Sequence, residues 1–69
     1  MQTAVFYVRP TQCGWLVLEG ERIAELLSTQ FWAVKAAEGM AYARHAATGA
    51  RTSVVVETIG DSTVAATFG

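Results

Sequence analysis

Residues 29–48 read TQFWAVKAAEGMAYARHAAT. Apolar and small residues recur there at helical spacing, with Ala33, Ala37, Met40, Ala41 and Arg44 on one stripe. Thr29 is placed to cap the helix N-terminus, because its hydroxyl can accept from a free backbone N–H in the first turn; Ser28 is the alternative. Gly49 suits the position just past the end, where a left-handed residue closes a helix. The inner stripe is poor in bulk. Such a helix can approach a sheet closely but covers little of it. Gly39 lies off the stripe and costs ~1 kcal/mol relative to Ala in a helix interior, with no packing reason visible in the sequence.

β-branched sequence flanks this segment on both sides. Residues 3–9 are rich in Val, Phe and Tyr and predict a strand that ends at Pro10, which cannot donate to a ladder. Thr11-Gln12-Cys13-Gly14 reads as a turn, and residues 15–19 as the second strand of a hairpin. Glu19-Gly20-Glu21 marks a tight turn, after which residues 22–28 suit either a third strand or the start of the helix. Beyond the helix, residues 51–59 form a strand around Val54-Val55-Val56. Gly60-Asp61 turns the chain, and residues 62–68 return with Val64, Ala66 and Phe68 assigned to one face. The expected fold is α+β: one domain over residues 1–69, in the order β-β-β-α-β-β. It is a five-stranded, mainly antiparallel sheet with one helix packed on one face.

Val8-Arg9-Pro10, then Gly14-Trp15-Leu16-Val17, then Thr29 opening a helix with Ala33-Val34 and Ala37, resemble a set of short bacterial proteins. These form domain of unknown function family 2188. The resemblance covers nearly the whole chain and implies a compact sheet with one helix. It carries no catalytic residue with it. Phe31 and Trp32 depart from the family pattern, which places charged residues after the helix cap.

Composition narrows the classes of function. Sixty-nine residues bury only about 60% of the surface that the unfolded chain exposes, so the core is marginal alone. With one cysteine, Cys13, and one histidine, His45, neither an internal disulfide nor a Cys/His zinc site can supply the missing stability. Oligomerisation remains. Hydrophobic residues make up 52% of the chain and charged ones 16%, too apolar for disorder. No apolar run approaches the ~18 residues of a membrane span. The start Met1-Gln2-Thr3-Ala4 lacks a signal peptide's basic and apolar segments, so a bacterial-type cytoplasm is expected. Net charge is −1, and Arg9, Arg22, Lys35, Arg44 and Arg51 are dispersed, which argues against nucleic acid as a partner.

Three candidate chemistries are outweighed by simpler roles. His45, the only natural neutral-range titrator, reads as a solvent-facing residue near the helix C-terminus. Cys13 reads as an inert loop thiol, with only Arg9 close in sequence. Glu19, Glu21 and Glu25 read as charges that face water and guard an edge. The strands are more telling. Alternation sends Trp15 and Val17 to one face and Leu16 and Leu18 to the other, with Val55 opposing Val54 and Val56. One helix covers one face, and an uncovered antiparallel face is normally polar. A second copy or a protein partner is therefore expected on an interaction surface of Leu16, Leu18 and Val55, together with the outer helix aromatics Phe31, Trp32 and Tyr42. A sheet curled over its own face is the competing arrangement. The leading expectation is a non-enzymatic interaction module, homodimeric and without a cofactor. The alternatives are a nucleic-acid-binding accessory protein and a small hydrolase or transferase using Cys13 or His45.

Overall fold

The structure, a computed structural model, describes residues 3–69. Met1 and Gln2, part of the N-terminal reading above, lie outside the described residues. The elements run β1 (Thr3–Thr11), β2 (Gly14–Glu19), β3 (Arg22–Leu27), α1 (Gln30–Thr48), β4 (Arg51–Thr58) and β5 (Asp61–Phe68). They build one mixed sheet in the order β3-β2-β1-β4-β5 with the helix on one side. All neighbouring pairs are antiparallel except β1 and β4. A parallel neighbour cannot be reached by a tight turn. The helix supplies the long return from edge strand β3 over β2 and β1 to β4.

The helix ends obey their caps. Thr29 Oγ1 accepts from the Trp32 N–H at 3.2 Å, and Gly49 adopts φ 74° while its N–H donates to the His45 carbonyl at 2.7 Å. The segment that suited either state, residues 22–28, is strand through Leu27. Ala33, Ala37 and Ala41 are fully buried against Phe6, Val8, Val17 and Val54. Three methyl-sized side chains on the inner stripe let the helix sit close over β1, β2 and β4.

Three local expectations are corrected. β1 does not end at Pro10 but continues to Thr11, with Pro10 opposite Trp15. The β1–β4 ladder stops at Val8–Val56, so Pro10 sits where β1 is paired on one side only and no donor is missed there. β5 does not hold Val64 on the same face as Ala66 and Phe68. A bulge at Ala65 sets Val64 opposite Val55 and Ala66 opposite Val54, on different faces. His45 is not a solvent-facing residue. It is half-buried and its Nδ1–H donates to the Ala50 carbonyl at 2.8 Å, tying the helix end to the approach to β4.

Candidate interaction surface

Hydrogen-bond registry assigns every sheet residue to a face. Phe6, Val8, Trp15, Val17, Leu27, Val54, Val56, Ala66 and Phe68 pack toward the helix. Among the described residues, none packs over the other face. Read across its middle, the paired residues are Ile23, Leu18, Tyr7, Val55 and Val64, one from each strand in sheet order. All five are large and mostly apolar. The next row is Leu26, Leu16, Arg9, the adjacent Glu57 and Ser62. The face is open at its edges, with Ile23 68%, Val64 62% and Leu26 50% exposed. The sheet therefore leaves its edges uncovered, whereas Leu18 in the middle of the row is 5% exposed.

Both ends of the apolar row depend on a bulge. In β3 the pairing runs Trp15–Leu27, Leu16–Leu26 and Val17–Glu25, then shifts so that Leu18 meets Ile23 and Ala24 is the extra residue. Regular alternation would have put Ala24 on the open face and Ile23 on the helix face. In β5 the shift at Ala65 likewise replaces an alanine with Val64. A bulge re-aims the side chains beyond it, and here each of the two exchanges a methyl for a branched chain on the same row.

The six residues expected to make contact fall on two separate surfaces. Leu16, Leu18 and Val55 share the open face, but Leu18 is 5% exposed within a single protomer, so its flanking neighbours already cover it. Phe31, Trp32 and Tyr42 are exposed on the helix, on the opposite side of the sheet. Their rings already have partners. Phe31 and Trp32 stack edge-to-face at 5.2 Å between centroids, Lys35 Nζ lies 5.6 Å from the Phe31 ring centre, and Tyr42 meets Phe68 edge-on at 5.8 Å. Ile23, Leu26 and Val64 were not expected on the contact surface. Leu26 follows from plain alternation opposite Leu16 once residues 22–27 are read as a strand, and the signals for Ile23 and Val64 are the adjacent alanines Ala24 and Ala65, whose slots a bulge can pass to a neighbour.

Charges pair locally. Arg9 pairs with Glu57 on the open face, Arg44 with Glu19 across the helix–sheet junction, and Lys35 with Glu38 along the helix at 3.8 Å. The Arg9 guanidinium is pushed up from its ordinary value, first by its hydrogen bond to Glu57 and then by that carboxylate's charge. A raised basic group contributes below its unfolded pKa and loses that contribution only as pH climbs through the folded value, so Arg9 stays charged across the neutral range.

No catalytic grouping assembles among the described residues. Cys13 is exposed in the β1–β2 turn, where its N–H donates to Thr11 Oγ1 at 3.1 Å. His45 lies beside the start of β4, which pairs with the start of β1. The two are thus at opposite ends of a nine-residue strand, roughly 26 Å apart along it. Glu19 is drawn into the Arg44 pair rather than facing water. A shallow groove of about 350 Å³ runs between helix and sheet, lined by Phe6, Glu19, Met40, Ala43, Arg44 and Ala47. Its polar groups are that same ion pair. No group of three or more His, Cys, Asp and Glu among the described residues could hold a metal ion. No described helix is long and apolar enough to cross a membrane. Comparison with protein-family models, with curated proteins and with solved structures found no match to this chain.

Proposed function

We propose that this chain is a non-enzymatic interaction module that acts through protein contacts of its open sheet face, as a homodimer in a cytoplasmic setting. The observation that carries the reading is the apolar row Ile23–Leu18–Tyr7–Val55–Val64, which crosses all five strands with no described residue packed over it. An exposed antiparallel face is ordinarily polar, and contiguous apolar surface marks contact sites. The open face is favoured over the helix aromatics because those rings pack on one another and on Phe68.

Nucleic acid is disfavoured on a specific ground. Three of the five basic side chains, Arg9, Lys35 and Arg44, already pair with carboxylates. Phosphate binding needs cations that are free to replace counterions. An NMR dilution series tests the reading. Amide shifts of Leu16, Tyr7, Val55 and Val64 should move with concentration while those of Phe31 and Lys35 stay fixed. Movement confined to the helix's outer face would refute it.

A further inference from the structure

We infer that the occupant of the open face is a second copy of this chain, stacked sheet on sheet about a two-fold axis that runs along the strands between β1 and β4. This rests on the interaction-module reading and adds the partner and its register. Charge selects the axis. Near its centre the open face sets a cation beside an anion, Arg9 on β1 and Glu57 on β4, while its second cation, Arg51, stands at the far end of β4, where a two-fold between β1 and β4 lays it over Thr3 of the partner subunit rather than over its own copy. A two-fold between those two strands sets Arg9 of one protomer over Glu57 of the partner subunit, and the reverse, so each ion pair becomes part of a four-membered alternating cluster. An axis centred on β1 instead would set Arg9 against its own copy, a like-charge contact.

The same axis matches the apolar row to itself. Tyr7 falls over Val55 of the partner subunit, and Leu18 over Val64 of the partner subunit, with Ile23 at the rim beside it. The two bulges contribute the residues at this margin, Ile23 and Val64, in place of Ala24 and Ala65. Bulges also twist the edges of β3 and β5 away from edge-to-edge pairing, which leaves the face as the way to associate. β1, β2, β4 and β5 overlap in this arrangement. At ~4.8 Å between strands and ~3.3 Å per residue, four strands of about eight residues present roughly 500 Å² of flat footprint per copy. Two copies reach about 1,000 Å², the size that separates specific interfaces from lattice contacts. Sheets stacked this way keep their strands within about 30° of each other, which the natural sheet twist accommodates.

The test uses two charge reversals of the full chain, Arg9→Glu and Glu57→Arg, studied alone and mixed. Each alone places like charges across the two-fold twice, so its self-association should weaken at least about tenfold. Mixed in equal amounts, the two carboxylates on the face of the Arg9→Glu variant meet the two guanidinium groups on the face of the Glu57→Arg variant. Both cross-interface contacts are then between opposite charges. Native mass spectrometry with a mass tag on one variant should show the heterodimer dominating both homodimers. A statistical mixture of the three dimers would overturn the arrangement while leaving the interaction-module reading intact, since a pair that acts only within each chain gains nothing from mixing. A wild-type chain that stays monomeric at every concentration would overturn both. Circular dichroism of each variant checks that it folds. If either reversal fails to fold, Val64→Glu, at an exposed edge position, replaces it, and a dimer that survives this change refutes the register.

Discussion

Replacing Ala37 with Leu should destabilise the protomer by about 1–3 kcal/mol, the usual cost of forcing extra methylenes into a packed site. Ala37 has 0% exposure and lies in the middle of the stripe that also buries Ala33 and Ala41. Three added carbons must enter the layer shared with Phe6, Val8, Val17 and Val54. They can do so only by lifting the helix off the sheet or driving side chains from their rotamers. Unfolding a 69-residue chain releases about 0.14 kcal/mol per degree near 60 °C, so that cost corresponds to a fall in Tm of roughly 7–20 °C. Thermal unfolding followed by far-UV circular dichroism, at fixed protein concentration, reads this directly. A Tm within about two degrees of wild type would mean that the helix does not ride on an alanine layer, and the packing described for α1 would be wrong.

Gly39→Ala should do the opposite. A Cβ at Gly39 meets nothing within 4 Å, so the change removes backbone freedom from the unfolded chain and should raise stability by about 0.5–1 kcal/mol in the same melt. Thr29→Ala removes the acceptor that holds the Trp32 N–H and should lose about 1 kcal/mol, visible as a lower denaturation midpoint. Tyr42→Ser should cost about 0.5–1.5 kcal/mol, more than a free surface tyrosine would, because the ring packs edge-on against Phe68; a silent change would show that this contact is idle.

The helix was legible because its signals are local. Thr29, Gly49 and the alanine spacing act within one turn or one face, and the structure places each where the pattern puts it. The strands of the α+β sheet were legible for the same reason, through runs such as Val54-Val55-Val56. What escaped the sequence depends on pairing between distant strands. Pro10 is tolerated because β4 stops pairing with β1 two residues earlier. Ile23 and Val64 face the open side because β2 and β4 each meet an edge strand with one residue too many. Simple alternation places both residues on the helix face. The candidate surface was accordingly half visible. Leu16 and Val55 follow from alternation on inner strands, whereas the exposed ends of the apolar row follow from bulges that no local pattern specifies. Leu18 shows the converse, an open-face residue that its neighbours already bury.

Association through the open sheet face is measured by the state of the chain in solution. Sedimentation velocity of the wild-type chain and of Val64→Glu over a wide concentration range reads that state. Val64 is 62% exposed in the protomer, so a charge there leaves folding intact, while at the interface it would meet Leu18 of the partner subunit. The wild-type chain should sediment at twice its 7.4 kDa mass at high micromolar concentration, and Val64→Glu should remain at the single mass throughout. A wild-type chain that never leaves the monomer mass, or a variant that dimerises as well as wild type, would show that this face does not associate.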